Sequence, residues 1–97
     1  MTVIQRTKQF QEWFLKETTK SQAQIESRLS NIRLHGHFGT YKVLGDVAEL
    51  KWKSGRRVYF AKVDGEILLL LIGGNKNGQD KDIKKAKKIL KDYVKED

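Results

Sequence analysis

Glu49, Lys51 and Lys53 recur at every second position of one stretch, and Arg57 and Tyr59 do so in the next. Alternate residues of an extended strand point to one face. Two neighbouring strands of this kind would gather a carboxylate, several cations and a phenol on one surface. Such a surface suits phosphate contacts and base stacking. It also suits metal-free cleavage of RNA. That reaction needs a base to take the 2′-hydroxyl proton, cations to hold the phosphate, and an acid for the leaving 5′-oxygen. Glu49 would be the base, Arg57 the phosphate clamp, and Lys51 or Tyr59 a further donor. Lys51, Lys53, Arg56 and Arg57 form the local concentration of positive charge, with no acid among them. The plainer reading of alternating charges on a meander is a solvated face with cross-strand Glu–Lys pairs. Both readings stand at this level.

The elements that must position these residues follow from periodicity. Val3 and Ile4 mark a short first strand over Thr2 to Arg6. Thr7 can cap a helix over Lys8 to Lys16, whose Phe10, Trp13 and Phe14 share one face. Ser21 and Gln24 fit a capping box, and Ile25, Leu29 and Ile32 predict a second helix over 21–34. Gly36 and Gly39 mark a loop. Strands are expected at Tyr41–Leu44, Val47–Lys53, Arg56–Val63 and Glu66–Ile72, with turns at Ser54-Gly55 and Asp64-Gly65. The near-continuous apolar run of the last strand predicts a central position buried on both faces. Gly73-Gly74 is expected to end it. Ile83, Ala86, Leu90, Tyr93 and Val94 predict an amphipathic helix over 79–95. The chain therefore reads as α+β, in the order β-α-α-β-β-β(-β)-α. A helical hairpin packs on a small twisted antiparallel sheet, a C-terminal helix follows, and the second sheet face is left partly open.

Composition narrows the function classes. At 97 residues the chain is one small domain. Lys and Arg number 20 against 12 Asp and Glu, a net charge of +8, and the pI is ≈ 9.8. That balance fits a nucleic-acid binder, or simply a soluble basic protein. The absence of Cys excludes disulfides, a thiolate zinc site and a Cys nucleophile. The longest apolar run, Ile67 to Ile72, falls far short of the about 20 residues of a membrane span. Met1 to Arg6 lacks the apolar stretch of a signal peptide, so a cytosolic location is expected.

Other candidates are weaker. His35 and His37 lie two apart in a glycine-flanked loop with few acids nearby, which argues against a metal site. Gly73 to Gly78 is glycine-rich but lacks the Gly-Lys-Ser/Thr ending of a phosphate-binding loop. It still places Lys76 near a sheet edge, within reach of a phosphate. Phe10, Trp13, Phe14 and Trp52 read as core, and the lysines of 81–95 as a solvated helix face.

Several segments together resemble a known family. Glu49-Leu50-Lys51-Trp52 and Arg57-Val58-Tyr59-Phe60 look like a core motif of the RelE/ParE superfamily of toxin–antitoxin toxins. Leu69-Leu70-Leu71-Ile72-Gly73-Gly74-Asn75-Lys76, continuing through Gln79 and Asp82 to Ala86, is similar to the signature of its HigB-like, phage-derived "addiction module killer" branch. Thr7-x-x-Phe10-x-x-Trp13 and Arg28-Leu29 before Gly36-His37-Phe38-Gly39 match as well, so the resemblance covers nearly the whole chain.

The resemblance implies a small α+β toxin that enters the ribosomal A site and cuts mRNA without a metal or other cofactor. It implies a cognate helix-turn-helix (HigA-like) antitoxin as partner, beside ribosome and mRNA, and no membrane partner. By position, Arg57 matches the phosphate-holding arginine. Lys51 and Lys53 are similar to basic residues of the preceding strand, and Lys76 occupies the basic position after the last strand. Arg56 and Tyr59 complete the expected RNA-binding set. This sequence departs from the pattern at Asn75, at Thr40 and in the short Lys53-Ser54-Gly55 turn. It also has no His or Tyr just after the last strand, where several relatives place an acid. A ParE-like inhibitor of DNA gyrase therefore stands as the alternative, with an inactive remnant that still binds antitoxin as the blandest reading. The enzyme reading predicts that Arg57→Ala abolishes toxicity and leaves the fold intact.

Overall fold

The computed structural model describes residues 2–65 and 67–96. The elements run β1 (Val3–Arg6), α1 (Lys8–Leu15), α2 (Thr19–His35), β2 (Tyr41–Leu44), β3 (Val47–Lys51), β4 (Arg56–Val63), β5 (Ile67–Asn75), a 3-10 turn (Lys76–Gly78) and α3 (Gln79–Glu96). Glu66, expected to begin the last strand, lies outside the described residues.

Local chemistry accounts for the boundaries. Thr7 caps α1, its hydroxyl accepting from the Phe10 N–H at 3.1 Å. α2 starts two residues before the expected point. Its cap is Thr18, which accepts from the Ser21 N–H at 3.1 Å, and the Ser21 hydroxyl instead donates to Glu17 at 2.8 Å. Gly36 closes α2 in the left-handed conformation, φ 68°. Asp64 and Gly65 both take positive φ, as a two-residue hairpin turn requires.

The five strands form one sheet in the order β1-β5-β4-β3-β2. It is mixed rather than wholly antiparallel. β1 pairs in parallel with β5, Val3 opposite Ile67 and Arg6 opposite Leu70. The remaining neighbours are antiparallel. A parallel partner needs a long crossover, and here everything between β1 and β5 supplies it.

Two cores lie on the two sheet faces. α1 and α2 bury Phe10, Phe14, Ile25, Leu29 and Ile32 against Leu50, Val58, Phe60, Leu68 and Leu70. On the other face α3 buries Ala86 and Ile89 against Val47, Tyr59, Ala61, Leu69 and Leu71. The second face is thus covered, against expectation. A strand as apolar as Ile67–Ile72 needs cover on both sides, and α3 provides the second.

Gly73 and Gly74 do not end β5, which runs on to Asn75. They stay in the strand because side chains press on it closely. A Cβ at Gly73 would run into the Trp13 ring of α1, and one at Gly74 into the Asp82 carboxylate of α3.

Candidate functional site

The strand register brings four of the sequence-predicted residues together. Glu49 lies opposite Tyr59 and Lys51 opposite Arg57, so the four share the face under α3. Glu49 is 0% exposed and Tyr59 equally buried. Arg57 reaches in from the rim, its side chain 11% exposed, with Nε 3.7 Å from Glu49 Oε2. Its Nη1 donates to the Gly55 carbonyl at 3.1 Å and to that of Arg56 at 3.3 Å. These two bonds turn the guanidinium back along its own hairpin.

A buried carboxylate is costly unless paired and hydrogen-bonded. Arg57 supplies the charge, and Gln79, at the start of α3, supplies the hydrogen bonds. Its Nε2 lies 3.1 Å from each Glu49 oxygen. Gln79 was missed as a site residue. The signal was its place directly after the glycine-rich run, inside the segment that resembles the HigB-like signature. Asp82, one turn further along α3, sits over Gly74, and burial raises its pKa.

Among the described residues, neither Arg57 Nε nor the Tyr59 hydroxyl has a hydrogen-bond partner. The Tyr59 pKa is pushed well above the usual tyrosine value, first by burial and then by the Glu49 and Asp82 carboxylates, with Arg57 opposing. Its ring lies in the α3 core, so no base can stack on it in this arrangement.

The flanking cations divide. Lys51 is half-buried beside Arg57. Lys53 is exposed in the turn that closes β3 to β4, where the Gly55 N–H bonds the Trp52 carbonyl. Lys76 is exposed in the 3-10 turn, and its stem runs beside Gly55. Lys51, Lys53, Lys76 and Arg57 therefore gather at one end of the sheet.

Arg56 does not join them. It faces the helical hairpin, bonding Gln24 Oε1 at 3.0 Å, approaching Glu17 at 3.8 Å and lying over the Trp52 ring at 5.6 Å. Arg28 lies over the same ring at 4.4 Å and donates to the carbonyls of Phe38, Thr40 and Lys51. That guanidinium ties the 36–40 loop to the sheet, and burial lowers its pKa.

The arrangement offers an anchored guanidinium beside two exposed lysines, over a buried carboxylate. Chemically such a cluster of cations can take a phosphate, and the carboxylate beneath it is covered. No group of three or more His, Cys, Asp or Glu able to hold a metal occurs among the described residues, and no described helix is long and apolar enough to cross a membrane.

No protein-family model matches the chain. An uncharacterized protein of Haemophilus influenzae is 36% identical over 97 residues, covering 95% of this chain and 97% of that protein. A double arginine-to-alanine variant of the E. coli RelE toxin, in the free state, superposes with a TM-score of 0.71 at 15% identity, over 91% of this chain and 97% of that one. The toxin–antitoxin complex RelBE of E. coli gives 0.62 at 12% identity, over 77% of this chain and 96% of that one. A RelBE complex of Mycobacterium tuberculosis gives 0.59 at 12%, over 76% and 96%. The chain belongs to one family with the Haemophilus influenzae protein, and its fold is that of the E. coli RelE toxin.

Proposed function

We propose that this chain is the toxin of a type II toxin–antitoxin module and that it cleaves mRNA on the ribosome. The observation that carries the reading is Arg57. It is a rim arginine whose Nε is turned in toward the buried Glu49 carboxylate at 3.7 Å, with Lys51, Lys53 and Lys76 around it. An RNA phosphate fits that rim, with Arg57 as clamp and the lysines on flanking phosphates. Once the first turn of α3, which carries Gln79, gives way, Glu49 takes the 2′-hydroxyl proton as that oxygen bonds the phosphorus, and the Lys51 ammonium gives a proton to the 5′-oxygen as its bond to phosphorus breaks. No metal or cofactor is required. The RelBE complexes among the fold's relatives support a cognate antitoxin as partner, and the HigB-like motifs support one of helix-turn-helix, HigA-like type.

The test is translation in a bacterial cell-free extract, with primer extension on the reporter mRNA. Arg57→Ala alone is the wrong variant. It strands the Glu49 carboxylate in the core and costs about 3 kcal/mol by analogy with broken buried pairs. The pairing of Arg57→Ala with Glu49→Gln removes both charges and keeps the shape of the fully buried Glu49 side chain. Wild type is expected to cut only translated mRNA, and the folded double variant to cut none. A folded double variant with wild-type cleavage overturns the reading.

The covering of Glu49 and Tyr59 by α3 favours one alternative. A toxin that never exposes an acid–base group inhibits by binding, as a ParE-like gyrase inhibitor would. Intact mRNA together with lost supercoiling activity of purified gyrase selects that reading. Intact mRNA with unaffected gyrase selects the inactive remnant.

A further inference from the structure

One flank of the apolar stripe of α3 is left uncovered in its C-terminal half, where Tyr93 packs on the core and bonds Gln5 of β1 but Val94 stays exposed. An 18-residue helix is about 27 Å long. Its first half is fully engaged, with Gln79 on Glu49, Asp82 over Gly74, and Ala86 and Ile89 in the core. Beyond that point β4 ends at Val63 and the β2–β3 turn passes at Gly45 and Asp46. A groove of about 620 Å³ opens between this sheet end and the C-terminal half of α3.

Its floor is Val63, Leu90 and Val94, and Val94 is 58% exposed. Its rim is Lys87, Lys91 and Lys95, one ridge of α3 at i, i+4 and i+8. Among the described residues, Asp46 is the only acid lining it. Lys62 contributes its backbone end, since its ammonium lies over the Phe38 ring at 5.5 Å on the opposite face. The groove is therefore an apolar trough with a net positive edge.

We propose that this groove docks an acidic amphipathic segment of a partner protein, with Leu or Ile side chains on Val63, Leu90 and Val94 and carboxylates on the lysine ridge. Charge selects that occupant over the others. A second copy of this chain would bring its own net charge of +8 against the same lysines. A nucleic acid would satisfy the ridge but leave the apolar floor uncovered. A helix carrying both chemistries covers both. The inference is independent of the RNA reading, because the groove shares no residue with the Arg57 rim.

The probe is a fluorescein-labelled 16-residue peptide of Leu and Glu in helical 3/4 spacing, followed by anisotropy at 150 mM NaCl. Its control has the same composition in scrambled order. The patterned peptide is expected to bind at least tenfold tighter than the scramble. V94D, at an exposed position outside the core, and the charge reversal K87E/K91E are each expected to weaken it at least tenfold. Both variants should behave as wild type in the translation extract, so failure here leaves the RNA reading untouched. Equal binding of the two peptides, or indifference to V94D, overturns the proposal. So does displacement of the peptide by oligo(U) or anionic vesicles at equal or lower concentration, which assigns the ridge to a polyanion. Wild-type self-association abolished by V94D assigns the groove to a second copy and overturns it as well.

Discussion

Burial decides what each site residue can do. Tyr59 illustrates this through its hydroxyl, which burial and two nearby carboxylates keep protonated far up the alkaline range. A proton held more tightly in the folded state than in the unfolded one stabilises the fold at pH values below the unfolded pKa. That stability is lost as pH rises beyond it. Alkaline destabilisation should therefore set in near the ordinary tyrosine value of about 10. Denaturant titrations of wild type and Tyr59→Phe measure it. The wild type is expected to lose stability between about pH 10 and 11 more steeply than the variant, and parallel curves would show that Tyr59 ionises freely in the fold. The same burial explains why Arg57 and Glu49 are a coupled pair. The alternation of charges placed them on one face, but it carried no information about which face α3 would cover. An exposed arginine can be truncated cheaply, whereas one that neutralises a fully buried carboxylate cannot.

Among the elements, Thr7 joins more of the fold than any other short side chain in the chain's first half. Its hydroxyl caps α1 and donates to the β5 carbonyls of Leu70 and Leu71 at 2.9 and 3.0 Å, and its N–H bonds Leu70 at 3.1 Å. The ladder between β4 and β5 shifts register at this point, with Tyr59 opposite Ile72 and Phe60 opposite Leu70, so Leu71 has no partner on β4. Thr7→Ala removes the cap and leaves the bulge carbonyls to share fewer donors. It should cost about 1–2 kcal/mol, while Thr7→Ser, which keeps the hydroxyl, costs less than half of that. Chemical denaturation of the three proteins measures both. Thr7 was legible as a cap from its place before Phe10. Its bond to β5 was not, because nothing local specifies a partner more than sixty residues away. The strands were legible for a related reason: period-two patterning is local, and β2 and β4 fall within their expected limits. The parallel pairing of β1, the extension of β5 through two glycines and the second helix layer are tertiary. The local hints of that layer were the apolar stripe of α3 and the strand Ile67–Ile72, apolar on both faces, which already required a cover on each side.

Across the whole molecule, cations stand on both helical layers and at the sheet's ends, so net charge alone does not locate a nucleic-acid surface. What distinguishes the Arg57 end of the sheet is geometry: Lys51, Lys53 and Lys76 come from three separate segments and meet around one arginine. Lys8, Lys16 and Lys20 carry the same charge on the helical hairpin, the layer facing the other side of the sheet. Salt dependence separates the two sets. Each phosphate contact released from a single strand contributes about 0.7 to the slope of log K against log salt. If RNA lies on the Arg57 rim, changing Lys51, Lys53 and Lys76 to Gln flattens the slope for oligo(U) by about 2. The equivalent change at Lys8, Lys16 and Lys20 removes the same net charge and leaves the slope as in wild type. Equal flattening by both sets would mean that RNA follows the overall field of the protein rather than the rim. The strand register would then have assembled Lys51 and Arg57 for stability alone, with Arg57 serving chiefly to neutralise Glu49.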